Sequence, residues 1–466
     1  MLALGLVMIP AADAAFAQGV STAGPPARPP FAPNAQEDDW AYLADADRRT
    51  EDLDRIKHIP LGDGGASYAY VGGQFRVIAR IYDDENFGGR PGTDDTYHRR
   101  IMVHGGIVID NRVRFFAEFK HGSVAGEKLP LGPVEEDELD LHQAFVEGRF
   151  GANRQHRVRV GRQELHYGRG LLVSVREGPN VRASHDGGLL RVQVGAWRVD
   201  AFVVQPVTSR SGAFDDRREP GARLSALYAA GKLDDGAEVD IYYFGDRRLG
   251  RRYDNASGDE TRHTLGARYG RRLLQWSFDA EAAFQLGELT DPVTGNEESI
   301  RAWTVYGRVE RRFDGALAPA FALEGGIASG DRRRGDSTLS TFRAPQPPGR
   351  YFGNTTPLGP GNLAGFTPSM SLGVAPRTRL TLQSRFFWRL STDDGLYSPP
   401  GFPIKPGDLS RERFVGREIG ATVAHQIDRH LNLSATIARF GAGKFFRETP
   451  PGRSVGLAEA MLAYRF

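Results

Sequence analysis

Apolar and polar residues alternate along most of the chain from Gly73 to Phe466. In the run TRLTLQSRFFWRL (378–390), Leu382 and Trp388 fall on one face, while Arg379 and Arg385 fall on the other. The runs VRFFAEFKH (113–121) and HLNLSATIARF (430–440) keep the same period of two residues. Successive side chains of a strand point to opposite sides of its sheet, so this pattern predicts β-strands with one apolar and one polar face.

The strand segments are numerous, and the connections between them alternate in length. We count about eighteen segments, near 73–82, 100–109, 112–120, 139–148, 156–165, 188–195, 197–205, 222–230, 236–245, 260–270, 273–286, 300–312, 318–328, 366–374, 378–390, 415–426, 430–440 and 455–466. Short connections such as 110–111 and 428–429 take turns with long ones such as 83–99 and 329–365. A soluble sandwich has no reason to keep this alternation, whereas an outer-membrane barrel has short turns on one side and long loops on the other.

The final strand, GLAEAMLAYRF (456–466), supports the same architecture. Leu462, Tyr464 and the terminal Phe466 share one face, which is suited to contact with lipid. The sequence contains no run of eighteen or more apolar residues and so predicts no membrane-spanning helix. We therefore predict an all-β protein: a single transmembrane antiparallel β-barrel of about 18 strands in the bacterial outer membrane, with outer-membrane lipid around it.

The N-terminal region predicts export from the cytoplasm. An apolar run from Leu2 to Ala12 precedes Ala15-Phe16-Ala17, a small-x-small site typical of a signal peptide that ends at residue 17. Residues 18–58 contain a Pro-rich linker and a charged stretch with a loose helical pattern. We interpret them as a linker and short periplasmic segment, and residues 59–466 as the barrel domain.

The charge distribution suggests what an eighteen-stranded barrel would pass. The whole chain carries a formal net charge of only +2 and contains no cysteine. The polar strand faces, however, hold roughly two basic residues for each acidic one, including Arg114, Arg159 and Arg191. A water-filled lumen concentrates the field of such side chains, so the pattern favours an anion-selective channel. The alternative is that many of these arginines pair with acids and only fix the strand register.

One segment interrupts the strand pattern. The stretch GRQELHYGRGLLVSVREGPNVRAS (161–184) begins on the fifth predicted strand and continues into a long connection. Gly168, Gly170 and Gly178 would let the backbone turn tightly, and Pro179 would stiffen it. We expect this loop to fold into the barrel and to aim arginines at the solute path. A solvated outer loop is the alternative.

This stretch resembles the alginate-export family of outer-membrane barrels. The segments RRTEDLDRIKHIPLGDGG (48–65), FFWRLSTDDGLYSPPG (386–401) and FRETPPGRSVGLAEAMLAYRF (446–466) resemble it as well. The resemblance implies a monomeric barrel of eighteen strands that passes an anionic polysaccharide outward through an arginine-lined pore. It also implies that the arginines in the matching segments line that pore: Arg162, Arg176, Arg182, Arg385 and Arg389.

Other functions find little support in the sequence. Motifs of metalloproteases, serine hydrolases and phosphate-binding loops are absent, and the histidines are too scattered to indicate a metal site. Basic residues alternate with apolar ones along strands and form no outer patch for nucleic acid. We therefore expect a channel without enzymatic activity, cofactor or metal, which exports an acidic exopolysaccharide and works with periplasmic secretion partners. An uptake porin for sugar acids or other small anions is the alternative.

Overall fold

The computed structural model describes residues 28–62, 64–126, 134–355 and 357–466. Eighteen long strands form the body of the protein. They are β1 Tyr68–Asp84, β2 Arg90–Ile109, β3 Val113–Ala125, β4 Asp137–Phe150, β5 His156–Gln163, β6 His185–Val194, β7 Trp197–Thr208, β8 Arg223–Lys232, β9 Glu238–Arg252, β10 Ser257–Leu273, β11 Trp276–Thr290, β12 Glu297–Arg312, β13 Ala320–Ala328, β14 Leu363–Ala375, β15 Thr378–Arg389, β16 Phe414–Gln426, β17 Leu431–Ala442 and β18 Val455–Arg465.

Each strand pairs antiparallel with the next, and β18 pairs with β1 to close the barrel. In the closing ladder Phe75 lies opposite Tyr464, and Arg80 lies opposite Glu459. Closure leaves no strand of the barrel with an unpaired edge, so the backbone hydrogen bonds are satisfied within the sheet. The predicted eighteen-stranded antiparallel barrel is confirmed.

The alternation read from the sequence separates the outside of the barrel from the inside. On β3, Phe115 and Phe119 are more than 40% exposed, whereas Arg114 and Glu118 on the other face are almost completely buried. The outer surface is apolar from strand to strand, and the inner face carries the charges. Aromatic side chains gather near both rims of the outer face, as Trp276 and Phe278 do at one end and Phe386 and Trp388 do at the other.

The two ends of the barrel differ in their connections. At one end, which we call the short-turn end, two residues join β6 to β7, β10 to β11 and β14 to β15. At the opposite long-loop end lie the connections 164–184, 329–362 and 390–413. The expected long connection at 83–99 is different: β1 continues to Asp84 and β2 begins at Arg90, so extended strands replace most of that loop.

Few other elements are present in the described part of the chain. The residues before β1 form short 3-10 turns at Ala35–Glu37, Ala41–Ala44 and Ala46–Arg48, one helical turn at Asp54–Lys57 and a short strand at Ile59–Pro60. Helical turns at Glu85–Gly88 and Lys444–Glu448 and short strands at Arg217–Arg218, Thr338–Leu339, Leu396–Tyr397 and Pro403–Lys405 lie in the connections. Among the described helices, none has the length and apolar character that crossing a membrane requires. The predicted signal peptide lies outside the described residues.

Candidate solute pathway

The loop 164–184 lies inside the barrel. Arg76 on the inner face of β1 donates to the carbonyl oxygens of Glu177, at 2.8 Å, and Pro179, at 2.9 Å. The Tyr167 ring stacks on Phe202 with the ring centroids 5.4 Å apart. These contacts are with strand residues of the inner face, so we call this segment the constriction loop. The expectation that it folds inward agrees with the structure.

Two glycines allow the constriction loop to turn. Gly168 has φ 56° and Gly170 has φ 76°, in the left-handed region that favours glycine. Gly178 acts differently, because a Cβ atom there would lie 3.3 Å from the backbone nitrogen of Arg350. That glycine therefore permits a close approach by another chain segment.

Glu177 attaches the constriction loop to the barrel wall. Its carboxylate lies 3.2 Å from Arg76 and 3.1 Å from Arg182, and it also pairs with Arg100. Burial alone would raise the pKa of the Glu177 carboxyl, but Arg100, Arg182 and Arg76 together lower it to about 2. A charged carboxylate among three arginines thus fixes the loop across the lumen.

A second long loop, 329–362, also folds inward, which the sequence did not indicate. Arg343 pairs with Asp246 on β9 and, at 2.6 Å, with Glu260 on β10. Arg350 pairs at 2.6 Å with Glu459 on β18. The two inward loops meet where the amide of Ser174 donates to the carbonyl of Gln346 at 2.8 Å.

The segment before β1 covers the short-turn end of the lumen. We call residues 28–58 the N-terminal segment. Trp40 and Leu43 are buried in an apolar cluster with inner-face aromatics, among them Tyr70 and Phe116. Lys57 donates to the carbonyl of Val71 at 2.7 Å, and burial lowers the pKa of its ammonium group to about 8. The loose helical pattern corresponds here to separate short turns.

An arginine patch lies on β5 and β6 beneath this segment. We define it by Arg157, Arg159 and Arg191. The Glu37 carboxylate of the N-terminal segment lies 2.8 Å from Arg157, 3.2 Å from Arg159 and 3.9 Å from Arg191. Burial would raise the pKa of the Glu37 carboxyl, but Arg159, Arg157 and Arg114 outweigh it and lower the pKa. The inner wall can therefore hold a carboxylate through several arginines at once.

The predicted residues Arg159, Arg191 and Arg114 all lie near this end of the lumen. Arg159 also pairs with Glu147 at 2.6 Å, and Arg191 pairs with Asp200 at 2.6 Å. The Arg114 guanidinium lies over the rings of Tyr70, Phe116 and Phe145, between 5.1 and 5.8 Å from their centroids. Strand periodicity brings these three arginines to one region of the inner wall.

The predicted residues near the long-loop end are more dispersed. Arg182 bridges Glu164, at 3.0 Å, and Glu177 within the constriction loop. Arg176 lies in the same loop with φ 59°, a strained value for a residue other than glycine. Arg162 follows Val158 and Val160 along the outward side of β5 and pairs at the rim with Asp186, 2.8 Å away. Arg176 and Arg182 therefore lie within the constriction loop, whereas Arg162 does not.

Arg385 and Arg389 on β15 have different partners from each other. Arg385 pairs with Glu418 on the inner face of β16. Arg389 is almost fully buried and donates to backbone carbonyls of Asp394, at 3.0 Å, and Ser410, at 2.6 Å, with its guanidinium over the Phe445 ring. Arg389 thus holds the loop 390–413 in place.

The inner face carries more acids than the predicted ratio of basic to acidic residues implies. The additional buried carboxylates are Asp137, Asp140, Glu147, Asp200, Asp246, Glu260, Glu418 and Glu459. Additional buried arginines, such as Arg100 and Arg262, are fewer than these acids, so the expected ratio of two basic residues for each acidic one is too high for the inner wall. Several of these acids pair locally, as Glu147 does with Arg159 and Asp200 does with Arg191, whereas Glu418 and Glu459 also have partners on a loop.

Two groups of side chains in the described structure offer metal-ligating atoms. Glu118, His142 and Glu164 form one group, and Asp140, Asp215 and Asp216 form the other, with ligand atoms within 4.8 Å of one another in each group. Arg182 lies 3.0 Å from Glu164, and the Lys120 ammonium lies 2.7 Å from Asp216. A basic side chain of the protein already compensates the carboxylates in each group.

A family model described as "Alginate export" matches residues 67–456. The chain belongs to this family. The model spans all but the last residues of the barrel, in agreement with the resemblance seen in the sequence. No curated protein matches the chain. Outer-membrane localisation follows from the family and from the closed barrel, and short turns of such barrels face the periplasm.

Solved porins share the fold. A BenF-like porin from Pseudomonas fluorescens Pf-5 superposes with a TM-score of 0.59 at 10% identity, covering 85% of this chain and 98% of that one. Pseudomonas aeruginosa OpdK, solved with vanillate, gives 0.58 at 10% identity, covering 85% and 98%. Pseudomonas aeruginosa OccK2 (OpdF), in complex with glucuronate, gives 0.56 at 10% identity, covering 88% and 99%. The chain is thus an outer-membrane barrel channel similar to these porins.

Proposed function

We propose that this barrel is a passive, anion-selective channel that exports an acidic exopolysaccharide of the alginate kind. The observation that carries the proposal is the arginine patch, where Arg157, Arg159 and Arg191 surround the carboxylate of Glu37. A uronate residue presents the same chemical group. The chain closes its own barrel, so a single copy suffices for this function.

Contacts between these arginines and the carboxylates of a polyanion are suited to its passage rather than to its tight binding. Arginine stays charged and pairs through a planar fork with a carboxylate. A single solvent-exposed pair contributes only about 0.2–1 kcal/mol, and its field is screened beyond about 10 Å at 0.1 M salt. Several weak contacts acting on successive uronates would guide a polyanion without trapping it.

Uptake of small sugar acids is the second candidate, and the filled lumen favours it. Both the constriction loop and the loop 329–362 cross the interior, and the N-terminal segment covers the periplasmic end. A small anion would need less displacement of these segments than a polymer would. Two of the structurally similar porins were solved with small carboxylates, one with glucuronate and one with vanillate.

Oligogalacturonates of graded length, added to single channels in planar bilayers, separate the two candidates. A polymer exporter should be blocked more strongly as the chain grows from one to six residues, because more carboxylates meet arginines. A porin for small acids should reach its strongest block with one or two residues. Neutral maltooligosaccharides of equal length provide the control, and equal block by both sugar series would contradict both candidates.

A further inference from the structure

The N-terminal segment carries the carboxylate that occupies the arginine patch. We propose that this segment is an internal gate, in which Glu37 occupies a subsite for the carboxylate of an acidic sugar and is displaced when that sugar enters. The inference rests on the proposed function and adds to it the subsite, its occupant and the movement that opens it.

Two arginines bind the Glu37 carboxylate in the way that a protein binds the carboxylate of a ligand. One carboxylate oxygen lies 2.8 Å from Arg157, and the other lies 3.2 Å from Arg159. These two arginines project from the same face of β5, two residues apart, so the strand itself sets their spacing. The side chains of Glu37 and Arg157 are 33% and 17% exposed, so an incoming anion can reach them without unfolding the barrel, whereas Arg159, at 3%, becomes accessible as Glu37 leaves.

The charge balance of the wall favours an anion at this position. Besides Glu37, the strand carboxylates that pair with the patch are Glu147, with Arg157 and Arg159, and Asp200, with Arg191. Arg198 also lies 3.6 Å from Asp200. Arg149 on β4 also lies 3.4 Å from Glu147, so the strands supply five arginines against two acids here, and Glu37 compensates part of the excess from outside the barrel wall.

The N-terminal segment is attached as one closed unit. Arg28 donates to Asp54 at 3.0 Å, which joins the two ends of the segment. Between them the chain forms only isolated turns and adds no strand to the barrel. A unit without ladder hydrogen bonds can leave the lumen while every barrel strand stays paired.

The same segment also contacts the constriction loop. Gln36 donates to the carbonyl of Glu164 at 3.1 Å, and Arg182 donates to Asn34 at 3.4 Å. Movement of the segment would remove contacts from both the arginine patch and this loop. Displacement of Glu37 can therefore open the path at two levels of the lumen.

A thiol reporter in the full mature protein tests the gate. The native chain has no cysteine, and Ala35 is a small buried residue two positions from Glu37, so Ala35→Cys reports release of the segment. Trigalacturonate should accelerate maleimide labelling of this variant, and maltotriose should not. Adding Glu37→Gln should raise the labelling rate without sugar by about five-fold and reduce the sugar effect.

Asp47→Asn is the matched control, because Asp47 is an exposed acid of the same segment that forms none of the described ion pairs. The Ala35→Cys reporter that also carries Asp47→Asn should react with maleimide at the same rate as Ala35→Cys alone. Labelling that trigalacturonate leaves unchanged, in a channel whose reversal potential shows anion selectivity, would overturn the gate and leave the proposed function standing. A channel without anion selectivity would overturn the proposed function and the gate with it.

Discussion

Replacing Glu177 with glutamine should release the constriction loop from the barrel wall. Glu177 is the common partner of Arg76, Arg100 and Arg182, and all three arginines are almost fully buried. Glutamine keeps the shape and removes the charge, so three cationic groups lose their shared anion. Breaking a buried ion pair from one side typically destabilises by about 3–5 kcal/mol.

The pKa of the Glu177 carboxyl gives a second value for the free energy with which the three arginines stabilise its charged form. It lies at about 2, against an ordinary value of 4.5. This difference corresponds to about 3 kcal/mol of favourable interaction with the charged carboxylate. We therefore expect the equilibrium between attached and released loop to shift by a factor of about one hundred in Glu177→Gln.

Hydrogen–deuterium exchange measures this shift directly. The amide of Val181 donates to Val134 at 2.8 Å and that of Ser174 donates to Gln346 at 2.8 Å, so both amides are protected by partners outside the loop while the loop is attached. Their exchange should accelerate by about one hundred-fold, and single-channel current should become noisier. Glu219→Gln is the control, since Glu219 is 37% exposed and pairs only with Arg248 among the described ion pairs. Equal exchange in the two variants would refute the role given to Glu177.

Further predictions follow from the other contacts. The Glu177 stabilisation is complete above about pH 4.5 and lost as the pH falls through about 2, so current noise should rise in that window and stay constant between pH 5 and 7. Arg343→Ala leaves Asp246 and Glu260 buried without this partner, which should cost about 3–5 kcal/mol and raise hydrogen exchange across 338–350; unchanged exchange would count against the inward anchoring of that loop. Val293→Cys should react with an impermeant maleimide on intact cells and Leu274→Cys should not, because these exposed positions lie at opposite ends of the barrel; the reverse pattern would invert the topology.

The sequence predicts the barrel well because a membrane channel imposes one strict pattern. Each strand has an apolar outer face and a polar inner face. The spacing of residues such as Phe115 and Arg114 therefore indicates on which face of the barrel wall each one lies. The strand ends are harder to predict. β2 begins at Arg90, ten residues before its predicted start, because residues 90–99 are polar on both faces and lack the alternating signal.

The contents of the lumen were only partly predictable. The length of the connection after β5, together with its glycines and arginines, indicated that the constriction loop folds inward. The pairs of Glu37 with Arg159 and of Glu459 with Arg350 join residues more than one hundred positions apart, and no local pattern marks them. The role of Arg389 shows the same limit, since its alternating position indicated the inner wall, but its carbonyl partners lie on a loop.

The reversal potential of the wild-type channel under a salt gradient tests the central claim most directly. Purified full-length mature protein in a neutral bilayer should show permeability to chloride above that to potassium, with a ratio that grows as ionic strength falls. Selectivity for potassium, or none at low ionic strength, would contradict an arginine-lined path for acidic sugars.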